Sequence, residues 1–498
     1  VAFLGIDLGT SSVKIIIMDK DGKVLGSVSK DYPIYYPRQN WAEQNPEDWW
    51  QSTSEGIKEI LSKMGVKGED VKGIGLSGQM HGSVVMDKDN NVLMPAILWC
   101  DQRTAGECDY ITRKLNQANL TKYTGNKALP GFTAPKILWI KNHNPGIFER
   151  ITHVLLPKDY IRFKLTGEFA TEVSDASGTL MFDVEKRTWS KEMLEFLELP
   201  EEALPRCFES YEITGKVNSK AAEETGLKPG TPVVGGGGDQ AAGAVGTGAV
   251  KSGIMSVALG TSGVVFAGQD AYSVDEHNRL HSFCHANGKW HVMGVMLSAA
   301  SCLKWWVEDV NKGLGEKGFD ILLDEADKVD SGSHGLIFLP YLMGERTPYS
   351  DPDARGCFIG LNITHDRGAM TRSIIEGVSF GLRDSLEIIK DLKIPIDEVR
   401  VTGGGAKSKL WRQVLADIFG AKVNMINATE GPAYGAAILA AVGIGEYGSV
   451  EDACDELIKV TDSMEPLAEN SRKYEEMYQI YKGLYLTLKD TFNKLTGI

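Results

Sequence analysis

One short pattern occurs twice in this chain, about half its length apart: an apolar run, Leu-Gly-Thr-Ser, and a second apolar run. The copies span residues 3–18 (FLGIDLGTSSVKIIIM) and 254–266 (IMSVALGTSGVVF). Each reads as two buried strands joined by a tight polar turn, and Asp21-Gly22 offers the next turn after the first copy. A pattern repeated at that distance predicts an internal duplication, two related domains in one polypeptide. Length agrees, because 498 residues exceed what one hydrophobic core usually serves.

Between the copies, apolar periodicity alternates in kind. Residues 46–64, opened by Pro46, read as an amphipathic helix, and 71–77, 83–87 and 92–99 as strands. After the second copy, 281–295 alternates like a strand, while 298–312, 367–392 and 432–443 read as helices. The tail from about residue 466 is polar with a helical period and is expected to pack, with no chemistry of its own. Such alternation predicts an α/β protein. We place the domains at 1–248 and 249–498.

Charge and cysteine usage exclude several classes. A net charge of −14 argues against nucleic acid or an anionic membrane as the main partner, since both need basic surface. The seven cysteines, at 100, 108, 207, 284, 302, 357 and 454, contain no CxxC pair. They indicate neither a disulfide framework nor a thiolate zinc site, and a cytoplasmic location is expected. Val1 to Ile6 run straight into Asp7, unlike a signal peptide, and no apolar run approaches the length of a membrane span.

The chemistry concentrates in glycine-rich turns. In Asp7-Leu8-Gly9-Thr10-Ser11-Ser12, the glycine permits a tight turn whose amides and hydroxyls suit phosphate oxygens, and Lys14 follows on the next strand. An ordinary β-turn with a solvated aspartate fits equally well until the second copy, Gly260-Thr261-Ser262-Gly263, is set beside it. No GxxxxGK[ST] loop is present. A third element, Gly403-Gly404-Gly405-Ala406-Lys407-Ser408-Lys409, joins a strand to a helix. Its glycines either admit a nucleoside to the backbone or simply make the turn.

The sharpest feature is the strand Thr231–Val234 followed by Gly235-Gly236-Gly237-Gly238-Asp239-Gln240. Four consecutive glycines are costly unless something must approach the backbone. Asp239 fits a helix N-cap, and it also fits a carboxylate that orients a hydroxyl and accepts its proton during phosphoryl transfer. That carboxylate would repel a pyrophosphate, so the GxGxxA match at 236–241 is not read as a dinucleotide site. The GxGxxG at 73–78 ends a strand, and the GxSxG at 377–381 lies inside a helix, so neither carries chemistry. His277, His281, Cys284, His285 and His291 crowd together, but strand alternation sends them to opposite faces.

With DLGTSS, GGGGDQAAGA, LGTSG, GGGAKSKLWRQVLAD and FTAPKILWIKN in order, the chain resembles the FGGY family of carbohydrate kinases over essentially its whole length. Gly78–Gly82 (GQMHG), Ile97–Arg103 (ILWCDQR), Leu156–Tyr160 (LPKDY) and His281–Ala286 (HSFCHA) are similar to its D-xylulose-phosphorylating branch. The resemblance implies two ribonuclease-H-like, actin-like ATPase domains flanking a catalytic cleft. It further implies a sugar substrate, ATP and Mg²⁺ as cofactors, and a homodimer. Asp239 then matches the catalytic base, also near the metal, and Asp7 the carboxylate beside Mg²⁺. Met80 and His81 match the sugar-contacting pair. Thr10, Ser11, Lys14, Gly260, Thr261, Gly404, Gly405 and Lys409 match nucleotide-contacting positions. The implied reaction is ATP-dependent phosphorylation of D-xylulose, with gluconate, ribulose and glycerol as alternative acceptors. A chaperone-like or actin-like ATPase binding protein partners is the alternative from another class. Gln240 departs from the asparagine usual in that branch, and the glycine run is one residue longer.

Overall fold

A computed structural model describes residues 1–497. The chain forms two compact units. The first comprises Val1–Val250, Ser282–His291 and Glu430–Lys459, the second Lys251–His281, Val292–Thr429 and Val460–Ile498.

The first unit is built on a seven-stranded sheet. Its strands are β1 (Ala2–Leu8), β2 (Ser12–Asp19), β3 (Val24–Asp31), β4 (Val71–Gly78), β5 (Ile213–Lys216), β6 (Pro232–Val234) and β7 (Gly237–Gly238). They run in the order β5-β6-β4-β1-β2-β3, with β7 pairing β4 just beyond β6. The first three are antiparallel, whereas β4 lies parallel to β1, and β6 and β7 lie parallel to β4.

A second sheet, whose strands lie mainly in the second unit, also has seven strands. These are β8 (Gly253–Leu259), β9 (Gly263–Gln269), β10 (His281–Cys284), β11 (Trp290–Met296), β12 (Ile396–Thr402), β13 (Lys422–Ile426) and β14 (Val460–Met464). Their order, β10-β11-β9-β8-β12-β13-β14, repeats the first sheet's scheme. A hairpin is followed by two parallel strands and an antiparallel edge. The duplication expected from the sequence is therefore a duplication of topology, and each unit is ribonuclease-H-like.

Local sequence explains the main helices. In α1 (Pro46–Met64) the Asn45 side chain accepts the Glu47 amide, Pro46 occupies the first turn, and Gly65 closes the helix in the left-handed region. The others used below are α2 (Thr133–His143), α3 (Pro157–Thr166), α4 (Asp239–Thr247), α5 (Arg367–Asp391), α6 (Lys409–Phe419), α7 (Gly431–Gly443) and α8 (Ala468–Thr496).

Helix α7 is rich in glycine and alanine where it lies directly on β1 and β4. A Cβ on Gly75 would sit 1.8 Å from the Ala436 carbonyl oxygen. This close approach accounts for Gly75 of the 73–78 motif, whereas Gly78 lies against Leu8 and Lys158. The 377–381 motif lies inside α5, where the Ser379 hydroxyl donates to the Ile375 carbonyl and accepts the Trp411 indole N–H. The tail is a packing helix: Tyr474, Tyr478 and Tyr485 of α8 donate to Glu376, Asp384 and Asp351.

Three elements differ from expectation. Residues 281–295 form two strands, β10 and β11. The strand expected at 92–99 contracts to Ala96–Ile97, because Pro95 has no amide to donate. The helix expected at 298–312 is α-helical only over Ala300–Trp305 and continues as a π-turn to Val310.

Candidate active site

In the first unit, the parallel strands β1, β4 and β7 end on the same side, and each hands a polar residue to that edge. Asp7 is the penultimate residue of β1, Gln79, Met80 and His81 follow β4, and Asp239 follows β7. Register holds them level, since Ser77 pairs with both Asp7 and Gly237, and Gly78 pairs with both Leu8 and Gly238. With only β4 between them, the Asp7 and Asp239 backbones lie two strand spacings apart, roughly 10 Å. Ligand sites of open α/β sheets collect at this carboxyl edge.

Both carboxyls are partly buried, and Asp239 feels the charge of Asp7. Burial raises Asp239 to about 7, the charge of Asp7 adds to the rise, and the backbone and side-chain amides of Gln240 oppose it. Gln240 thus bends back onto the carboxyl it follows. Burial also raises Asp7 to about 6, against the pull of the Ser77 hydroxyl and the Lys14 ammonium. Asp7 Oδ1 is buried and makes no hydrogen bond. Asp239 is the first residue of α4, whose N-cap is Gly238, so the N-cap reading does not hold. Among the described residues no three His, Cys, Asp or Glu side chains gather as a metal cage. An orphaned carboxylate oxygen and a second carboxyl of raised pKa nevertheless fit a hard divalent cation that takes its remaining ligands from phosphate and water.

The glycine run serves this edge from within the protein. Gly236 has φ +73°, and a Cβ there would meet the Leu76 carbonyl oxygen at 1.8 Å. A Cβ on Gly238 would meet Met80 Sδ at 2.9 Å. What approaches the backbone is therefore β4 and the Met80 side chain. Arg162 of α3, fully buried, donates to the carbonyls of Val234 and Gly235 at 2.6 Å each, and the Gly238 amide donates to Ser174 Oγ. Behind them Lys158 contacts Asp159, Glu172 and Asp175, all buried. Burial raises Asp175 to about 8 against the pull of Lys158. These supports were not assigned in the sequence, although Lys158 and Asp159 belong to the LPKDY motif.

Met80 is buried and His81 half-buried. His81 has φ +71°, a left-handed conformation unusual for a residue with a side chain. Its Nδ1–H donates to the Gly178 carbonyl at 2.7 Å, which fixes the tautomer, and its ring packs against Phe132 with centroids 4.7 Å apart. Lys136, fully buried, donates to the His81 and Gly131 carbonyls, and burial pulls it down to about 7 against the charge of Asp101.

The turn between β1 and β2 is held from outside. Thr10 Oγ1 accepts the Trp99 indole N–H at 3.0 Å and its carbonyl accepts Gln44 Nε2, while Lys14 is ion-paired with Glu430. Asp7, Thr10, Ser11, Lys14, Met80, His81 and Asp239 all lie in the first unit. Gly260, Thr261, Gly404, Gly405 and Lys409 lie in the second. There Ala258 pairs with Thr402, so the Gly260-Thr261 turn and the glycine loop leave neighbouring strands at one edge. Gly405 opens a short 3₁₀ turn and Lys409 begins α6, beside a cavity of about 570 Å³ lined by Asp324, Asp327, Arg372, Ser408 and Gln413.

Residues 2–246 match the N-terminal domain, and 255–444 the C-terminal domain, of the FGGY family of carbohydrate kinases. The chain is 41% identical to the xylulose kinase of Escherichia coli strain K12, over 98% of this chain and 99% of that one. It is 39% identical to the xylulose kinase of Bacillus subtilis strain 168, over 98% and 97%. A ligand-bound xylulose kinase from Lactobacillus acidophilus superposes with a TM-score of 0.94 at 26% identity, covering 99% of each chain.

Proposed function

Because the chain belongs to the FGGY family of carbohydrate kinases, we propose that it transfers the γ-phosphoryl group of ATP to D-xylulose, giving D-xylulose 5-phosphate and ADP. The observation that carries the reading is the junction at Gly238, which places the Met80 side chain against the backbone immediately before Asp239. Met80 of the proposed sugar-binding pair thereby lies against the residue that precedes the proposed base.

His81 and Met80 hold the sugar, the imidazole bonding a hydroxyl and the thioether forming a deformable wall. Asp239, ionised, takes the proton of the C5 hydroxyl as that oxygen bonds to the γ-phosphorus and the bond from phosphorus to the bridging oxygen of ADP breaks. The turn Thr10-Ser11 with Lys14, and Gly260, Thr261, Gly404, Gly405 and Lys409, bind ATP. Asp7 and Asp239 would hold Mg²⁺, which neutralises charge on the phosphates. Residues 1–248 supply the sugar site and base, and 249–498 the remaining nucleotide contacts. No helix among the described residues is long and apolar enough to cross a membrane, and the reading includes a cytoplasmic homodimer.

The test is ADP production with Mg-ATP across D-xylulose, L-xylulose, D-ribulose, L-ribulose, gluconate and glycerol, beside Asp239→Ala. D-xylulose should give the highest kcat/KM, and the variant should lose about 10²-fold or more of turnover with ATP binding retained. Another preferred sugar would overturn the acceptor assignment, and an unimpaired variant the base.

A further inference from the structure

Lys136 is the least expected charge in the first unit. It is fully buried, it sits in the first turn of α2 where the helix dipole disfavours a cation, and both of its hydrogen bonds go to backbone carbonyls. No carboxylate lies within ion-pair distance of it among the described residues. Burying such a group is unfavourable unless it does something an apolar side chain cannot.

What it does locally is specific. The His81 carbonyl accepts from Lys136 Nζ at 2.8 Å and from Thr133 Oγ1 at 3.0 Å, and the same ammonium reaches the Gly131 carbonyl at 2.7 Å. The residue so held is itself in a left-handed conformation, φ +71°. Its imidazole is pinned from the other side by the Gly178 carbonyl and lies on Phe132, the N-cap of α2 itself. Backbone and ring of His81 are therefore both fixed relative to the start of α2, with Lys136 as the tie.

We propose that Lys136 is a positioning residue for the acceptor sugar: it holds the turn at His81 in its left-handed conformation, so that the imidazole is presented to the substrate hydroxyl. This rests on the reading that Met80 and His81 bind the sugar. Lys136 itself touches no substrate, and ATP is bound by other residues, so its loss acts on one substrate only.

The experiment is steady-state kinetics of the full chain, using whichever sugar of the panel the wild type turns over best. The wild type thus decides the acceptor, and the variant-to-wild-type ratio decides Lys136. Lys136→Met, which keeps the length and removes the donors, should raise the sugar KM about tenfold or more and leave the ATP KM within about twofold. His81→Ala should raise the sugar KM as well, and the double variant should be no worse than His81→Ala alone. Thr133→Val, which removes only the second donor, should raise the sugar KM about threefold and serves if Lys136→Met does not fold. Additive losses in the double variant, equal rises in both KM values, or an unchanged sugar KM would overturn the proposal. A wild type inert towards every sugar would overturn it together with the kinase reading.

Discussion

The two Gly-Thr-Ser hairpins share a turn but not a chemistry. In both, the glycine amide donates back across the turn, Gly9 to the Ser12 carbonyl and Gly260 to the Ser262 carbonyl. The first spaces its strands one residue wider, pairing Leu8 with Val13 where the second pairs Leu259 with Gly263. At the positions flanking the turn the first carries Asp7 opposite Lys14, and the second carries Ala258 opposite Val264. The surroundings differ as sharply. The first turn is tied by Trp99 and Gln44 and stands near a second carboxyl, whereas the second spends its Thr261 carbonyl on the Ala299 amide and the Ser301 hydroxyl that start a helix. Both turns are closed by the glycine amide, and only the first carries charged residues at the positions that flank it.

The largest effect should follow from that asymmetry. Asp7→Asn keeps the size of the side chain and removes its charge, and should lower kcat about 10²-fold or more. Ala258→Ser, at the matching place of the second hairpin, should change kcat less than about twofold. Comparable losses from both would mean that the hairpins share the chemistry and would break the comparison.

Next in size is the pH dependence that the paired carboxyls impose. Asp239 is raised to about 7, so it is protonated below that pH, and kcat/KM should fall about tenfold per unit as pH drops through 7. Stability has the opposite sign. Carboxyls held above their usual range cost stability over the interval in which the unfolded chain has ionised and the folded one has not. The ligand-free protein should therefore lose thermal stability as pH rises from about 4 to between 6 and 7 and level off above, and Asp7→Asn should flatten part of that slope. An activity profile flat to pH 5 would remove Asp239 as the base.

How much of this was legible follows from the range of each interaction. The hairpins, the α/β alternation and the loop ending at Asp239 are local patterns, readable from neighbours in the chain. Residues 73–78 mimicked a cofactor motif because the reason for Gly75 is Ala436 of α7, far along the sequence. Likewise the glycines before Asp239 were correctly read as an approach to the backbone, but the approaching groups are Leu76 and Met80. The N-cap reading of Asp239 failed by one position, since Gly238 takes that place. Lys136, Arg162, Ser174 and Gly178 leave no local pattern, because each acts through a hydrogen bond in which one partner is a backbone atom, and a backbone amide or carbonyl leaves no mark in a sequence. The LPKDY and FTAPKILWIKN stretches were the available signal for Lys158 and Lys136.

The smallest effects should come from removing a nucleotide contact from each hairpin in turn. Lys14→Met takes away a cation and leaves Glu430, its ion-pair partner, close to the phosphate turn. Both changes repel ATP, and the ATP KM should rise about tenfold with the sugar KM little altered. Thr261→Val removes one hydroxyl and leaves intact the Thr261 carbonyl that starts the following helix, so the turn keeps its shape and the ATP KM should rise only about threefold. Glu430→Gln in the Lys14→Met background separates the two contributions, because it removes the stranded charge and should recover part of the loss. If Thr261→Val proved the more damaging of the two, the second hairpin would carry more of the phosphate binding than its uncharged sequence implies, and the division of labour drawn here would be reversed.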